Sequence, residues 1–250
     1  MNQPGQTTRP SPVIKPELVV LDLAGTTVSD SGLVIAAFRQ AVAAVGIGPD
    51  HAALPGMLEH VQQTMGASKE AVFLELFEGD QQMAKEANQS FETAYAEAIE
   101  EGLCQPIDGA EQAITDFRQA GLKVALTTGF SPTTRRRLVR RLGWEGITDL
   151  GLSPADTGPL RRGRPYPDMI LTAVLRLGIS DVRAVATAGD TASDIRSGRA
   201  AGAGLVAGVL TGAHDNETLA AASSDAVFPS VREFAAEVLA RLRWSGQSPM

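Results

Sequence analysis

Cysteine is nearly absent from this chain: Cys104 is the only one in 250 residues. An internal disulfide is therefore impossible, and so is a cysteine-built zinc cage. A reducing cytoplasm is the expected compartment. Aromatic residues are scarce at 5%, which suits packed helices and turns better than a β-sandwich. Positive charge is in deficit, with 22 Lys+Arg against 29 Asp+Glu and a formal net charge of −7. Broad nucleic-acid binding normally needs a basic footprint, so it is not expected; a local basic pocket for a small anion stays open. No apolar run approaches the roughly 20 residues that span a bilayer, and the start lacks the pattern of a secretory signal. What is present is ordinary for a folded chain, 44% hydrophobic and 20% charged, with length for one domain or a domain plus an insertion.

Short apolar runs recur and are read as buried parallel strands: Glu17 to Asp22, Lys123 to Thr127, Val182 to Thr187, Gly204 to Gly208 and, more weakly, Asp225 to Phe228. Helical patterns alternate with them over 112–120, 132–142, 168–177, 192–201 and 231–242. Strand and helix alternating at this spacing predict an α/β fold, a doubly wound Rossmann-like parallel sheet. Between the first two strands no strand-like run occurs. Leu33, Val34, Ala37, Phe38, Ala41, Val42 and Val45 form one amphipathic stripe, and helical patterns continue over 52–65, 68–77 and 81–101. The expected organisation is a flexible tail at 1–16, a core at 17–31 and 106–250, and an inserted all-helical cap at 32–105. The first cap helix is apolar enough to pair with a neighbouring copy. The basic run Arg135 to Arg137 with Arg140 and Arg141 reads as a solvated helix face.

In a doubly wound sheet, ligands bind at the carboxyl ends of the strands, and three predicted strands lead into polar residues there. Asp22-Leu-Ala-Gly-Thr-Thr27 puts an acid at a strand end, then a glycine turn and two hydroxyls. Such a carboxylate can be a nucleophile or a metal ligand, or it can simply cap the turn. Thr128 and the Gly129 N–H could hold a phosphoryl oxygen, or the threonine could cap the next helix. Arg164, within Gly163-Arg-Pro-Tyr-Pro-Asp168, suits phosphate or carboxylate, or is a surface loop residue. Asp190 and Asp194, in Gly189-Asp-Thr-Ala-Ser-Asp194, give oxygen-only donors of the kind that favours Mg²⁺. Asp194 also fits a helix N-terminus.

In this chain order the four motifs resemble the haloacid dehalogenase superfamily, dominated by Mg²⁺-dependent phosphohydrolases. The resemblance implies that Asp22 attacks phosphorus and forms an aspartyl-phosphate, and that Thr128 and Arg164 hold the phosphoryl oxygens, with Thr26 and Gly129 as further substrate contacts. It places Mg²⁺ among Asp22, the Ala24 carbonyl and Asp190, with Asp194 in support. A homodimer is also plausible by resemblance.

Most phosphatases of the superfamily carry a second Asp two residues after the nucleophile; here that position is Ala24, which can neither donate nor accept a proton. The phosphonatase (phosphonoacetaldehyde hydrolase) branch shares this Asp-x-Ala-Gly-Thr-Thr pattern. There a cap lysine in a Met-Gly-x-x-Lys stretch forms a Schiff base with the aldehyde, and this chain has Met65-Gly-Ala-Ser-Lys69. That branch places a His three residues after the lysine; here the position is Val72. The implied substrate is a small phosphonate, with a phosphoglycolate-phosphatase-like phosphomonoesterase as the alternative. A receiver-like module would need only about half this length, and a dehalogenase would have no use for paired Asp190 and Asp194.

Overall fold

The computed structural model describes residues 14–244; most of the tail expected at 1–16 lies outside them. Six strands form one parallel sheet: β1 (Leu18–Asp22), β2 (Lys123–Thr127), β3 (Leu150–Leu152), β4 (Val185–Gly189), β5 (Leu205–Val209) and β6 (Ala226–Phe228). Their order is β3-β2-β1-β4-β5-β6, and every pairing is parallel. The expected doubly wound sheet is thus the observed one. β1 is central and all five of its residues are buried. Its side chains alternate, Leu18 and Val20 to one apolar cluster, Val19 and Leu21 to the other, as the two-residue period of a strand requires.

The chain enters a helical block after β1: α1 (Leu33–Ala44), α2 (Leu54–Gln63), α3 (Lys69–Leu76) and α4 (Gln81–Glu100). The predicted stripe of α1 is real, with Val34, Ala37, Phe38, Ala41 and Val42 buried. Phe38 stacks on Phe73 of α3 with ring centroids 5.3 Å apart, so this stripe is covered within the chain and a homodimer would have to use another surface. Two connecting segments lie side by side where the block leaves and rejoins the sheet. The Ser29 N–H donates to the Gln105 carbonyl at 2.8 Å and the Ile107 N–H to the Thr27 carbonyl at 2.9 Å.

The remaining helices flank the sheet: α5 (Ala110–Gln119), α6 (Pro132–Arg141), α7 (Asp168–Leu177), α8 (Ala192–Ala201), α9 (Asn216–Ala221) and α10 (Val231–Trp244). α7 and α8 have the expected bounds. The strand expected to begin at Val182 begins at Val185, because the Asp181 side chain accepts the Arg183 N–H and winds residues 182–184 into a single 3₁₀ turn. β3 and α9, three and six residues long, have no counterpart in the sequence reading. The basic run also differs at one position. Arg135 is buried, pairs with Asp156 and donates to Ser153 Oγ at 3.2 Å, while Arg136, Arg137, Arg140 and Arg141 are exposed. No helix among the described residues is long and apolar enough to cross a membrane.

Candidate active site

Asp22 is the last residue of β1 and is 5% exposed. The loop after it is pinned by its own backbone: the Thr27 and Val28 N–H groups donate to the Leu23 carbonyl at 2.9 and 2.8 Å, and Thr27 Oγ1 donates to the Asp22 carbonyl at 2.8 Å. Gly25 has φ of 88°, and a Cβ there would lie 2.3 Å from Asp190 Oδ2. Glycine is needed both for the left-handed turn and for the close approach of the second acid.

Asp190 follows β4 directly. It accepts from Thr26 Oγ1 at 3.0 Å and from the Ala213 N–H at 2.7 Å. Asp194 stands in the first turn of α8, in a capping box with Thr191. One oxygen from each of Asp22, Asp190 and Asp194 lies within 4.8 Å of the other two. Arg164 Nη1 is 2.6 Å from Asp22 Oδ1 and also pairs with Asp194. The guanidinium is buried, and although burial opposes its charge, Asp194 and Asp22 raise its pKa.

The acids are overcrowded. Burial pushes Asp22 well above the usual carboxylate range; Arg164 opposes this, and the charges of Asp194 and Asp190 add to it. Asp190 is pushed up to about 6, by burial first and by Asp194 second, against the hydrogen bonds from Ala213 and Thr26. Three buried carboxylates beside one guanidinium leave negative charge uncompensated, and their donors are all oxygen. That combination fits a hard divalent cation such as Mg²⁺.

A cavity of about 1020 Å³ opens over this cluster, lined by Asp22, Ala24, Lys69, Thr128, Gly129, Arg164 and Asp190 among others. It therefore gathers seven of the nine residues singled out by sequence. The other two stand behind it. Thr26 is fully buried with its hydroxyl on Asp190, where it holds that acid and does not face the cavity. Asp194 does not line it but pairs with Arg164, which does. Thr128 is 2% exposed, and its Oγ1 accepts the Phe130 N–H at 3.2 Å.

Lys69, the first residue of α3, is 8% exposed. Its N–H donates to the Gly129 carbonyl at 3.3 Å, and its ammonium stands 6.0 Å from the Phe130 ring centroid. Burial, and after it the Arg164 charge, lower its pKa from 10.5 to about 8, against Asp30, Asp22 and Glu92. The helical block closes tightly here. A Cβ on Gly129 would sit 2.3 Å from the Ala67 carbonyl oxygen. Gly129→Ala is therefore expected to cost about 2 kcal/mol by overpacking, a drop of roughly 4–8 °C in thermal midpoint for a chain of this size, read by a circular-dichroism melt.

The cavity also holds residues the sequence reading did not single out. Asp30 lies in the segment leading into α1, and His214 and Thr211 in the loop after β5. Thr211 Oγ1 donates to the Gly25 carbonyl at 2.7 Å, and His214 Nδ1 accepts the Ala192 N–H at 2.9 Å. Polar residues just past β5, at the same sheet edge as Asp22 and Asp190, were the available signal for the last two. His51 is exposed and His60 pairs with Glu75 at 3.2 Å; neither lines the cavity.

A haloacid dehalogenase-like hydrolase family profile matches residues 16–202. Among curated relatives, the phosphonoacetaldehyde hydrolase of Bacillus cereus (strain B4264) is 34% identical over 110 residues, which is 44% of this chain and 40% of that protein. The Bordetella pertussis enzyme of the same name is 36% identical over 108 residues, 43% of this chain and 38% of the relative. The matched part thus spans well under half the length of these relatives. A phosphonoacetaldehyde hydrolase-like protein from Oleispira antarctica superposes with a TM-score of 0.77 at 19% identity, covering 98% of this chain and 99% of that one. A candidate phosphoglycolate phosphatase from Lactobacillus delbrueckii gives 0.72 at 19% identity, over 90% and 99%. The profile match takes in β1, the helical block, and the elements carrying Thr128, Arg164, Asp190 and Asp194, so the chain belongs to the haloacid dehalogenase-like hydrolases.

Proposed function

We propose that this hydrolase releases phosphate from a small phosphonate aldehyde of the phosphonoacetaldehyde type, with Asp22 as nucleophile, Lys69 as Schiff-base former and Mg²⁺ as cofactor. One observation carries the reading: a buried lysine with its pKa lowered to about 8 lines the same cavity as Asp22, while Ala24 occupies the position at which a phosphomonoesterase would keep its acid. A lowered pKa makes the free amine available near neutral pH, as imine formation needs. The names of the matched relatives agree with it. Residues 32–105 would act as a cap over a core of 17–31 and 106–250, bringing Lys69 over the sheet edge. The proposed compartment is the cytoplasm, consistent with the unpaired Cys104.

Asp22, the Ala24 carbonyl and Asp190 would hold the Mg²⁺, with Asp194 behind. Bound there, the ion would neutralise charge, so that a carboxylate and a phosphonate dianion can approach. The Lys69 amine adds to the aldehyde carbon, and loss of water leaves an iminium. Asp22 Oδ then bonds to phosphorus as the carbon–phosphorus bond breaks, and the bond pair moves into an enamine rather than onto a bare carbanion. One water hydrolyses the imine after protonation at carbon, and another hydrolyses the aspartyl-phosphate. Thr128, the Gly129 N–H and Arg164 would hold the phosphoryl oxygens.

The test is a Mg²⁺-supplemented screen of small phosphonates and phosphate esters by phosphate release, with borohydride trapping and peptide mass mapping. Phosphonoacetaldehyde should be turned over and should alkylate Lys69. Turnover of 2-phosphoglycolate with no adduct and no phosphonate activity would replace this reading with the phosphomonoesterase one. The metal is tested without substrate. Saturation to about 100 times Kd adds roughly 2.7 kcal/mol to stability, so Mg²⁺ should raise the thermal midpoint, and Asp190→Asn should remove that shift.

A further inference from the structure

Imine chemistry moves protons, and this chain lacks side chains for that at two expected places. Ala24 carries no acid, and the position after Lys69 that would hold a histidine is Val72, 4% exposed and packed in the apolar core. The cavity wall offers few other titratable groups. Glu59 and Arg196 are exposed at the rim. The His214 backbone N–H donates to the Asp190 carbonyl at 3.2 Å and its ring accepts the Ala192 N–H, so the residue is tied to the segment around Asp190. Asp30 remains. It lines the same cavity as Lys69 and Asp22 and is half-buried. Its Oδ1 accepts the Val34 N–H at 3.1 Å, which fixes the side chain at the start of α1.

We propose that Asp30 is the proton carrier for Lys69, an inference that rests on the Schiff-base reading above. Among carboxylates, Asp30 acts on the Lys69 ammonium most strongly, ahead of Asp22 and Glu92. Burial raises the Asp30 pKa, against the Val34 N–H, the Lys69 charge and the Gly32 N–H. The other titratable groups that feel Asp30 are Tyr95 on α4 and Cys104 just beyond it, and burial keeps both protonated.

The step balances without another reactant. No ion pair joins the two side chains, so the Lys69 ammonium passes a proton to the Asp30 carboxylate through one bridging water, and the amine nitrogen bonds to the aldehyde carbon. One proton of the attacking nitrogen moves to the former carbonyl oxygen, which receives the second from Asp30 and leaves as water, giving the iminium. Ammonium and aldehyde become iminium and water, with the charge unchanged. A carboxyl group whose affinity for protons is raised by burial suits both halves of this transfer.

Asp30→Asn and Asp30→Ser keep an oxygen for the Val34 N–H and remove the carboxylate. The decisive reading is the single-turnover rate at which borohydride-trapped adduct forms on Lys69 with phosphonoacetaldehyde. Both variants should slow it, and kcat for phosphate release, by about 100-fold or more; the adduct should still reach full yield and KM should hardly change. Asp30→Glu should recover part of the rate. Adduct formation at the wild-type rate in Asp30→Asn and Asp30→Ser overturns the proposal, whatever happens to overall turnover. Absence of any adduct in the wild type overturns the Lys69 reading and this inference with it.

Discussion

Asp22→Asn is expected to remove phosphate release altogether, a loss of at least about 10⁴-fold of the size seen when a covalent nucleophile is deleted. The amide is nearly isosteric, so the β1 loop keeps its hydrogen bonds, since Thr27 Oγ1 and the Leu23 carbonyl bond to backbone and not to the Asp22 side chain. Stability should not fall much. Burial and the charges of Asp194 and Asp190 already disfavour the Asp22 carboxylate, so its loss relieves repulsion, while Arg164 keeps Asp194 as a partner. The variant also separates the two covalent steps. With Lys69 intact, borohydride should still trap the aldehyde in Asp22→Asn although no phosphate appears. Wild-type turnover on the true substrate would remove Asp22 as the nucleophile.

The parts of this site legible in sequence are those fixed by local pattern. β1, β2 and β4 are short apolar runs leading into polar residues, and such runs locate the carboxyl edge of a parallel sheet almost by themselves. The start of α8 was legible for a similar reason, since Thr191 and Asp194 form a capping box within four residues. What stayed hidden depends on distant partners. Arg135 lies in a run that looks solvated, and only the fold supplies Asp156 and Ser153 to bury it. β3 is a three-residue edge strand whose pairing with β2, not its own pattern, makes it a strand. Thr26 has a substrate-binding look beside Asp22, yet its hydroxyl is taken by Asp190, 164 positions away. Asp30 carries no signal of its own. It becomes interesting only once α3 folds back and places Lys69 on the same cavity wall.

Lys69→Met is expected to give opposite results for activity and stability. Without the amine no iminium forms, so phosphonoacetaldehyde turnover and borohydride trapping should both vanish; full activity would end the Schiff-base reading. Stability should rise. The folded protein releases the Lys69 proton near pH 8, whereas an ordinary lysine holds it to about 10.5. Between those values the unfolded chain binds more protons, so wild-type stability increases with pH through that window. Below pH 8 both states are protonated and the full cost of burying the charge is present, on the order of 3 kcal/mol from the size of the shift. Methionine fills a similar volume without charge, so at pH 7 the variant should melt higher by several degrees, and the gain should shrink as pH climbs from about 8 to about 10.5. An ordinary surface lysine would give neither result, since its removal changes stability by no more than about 0.5 kcal/mol and does so without this pH dependence. A stabilised, inactive Lys69→Met would mean that the fold tolerates a buried amine at a cost, and a reaction at that amine is the reason such a cost would be kept.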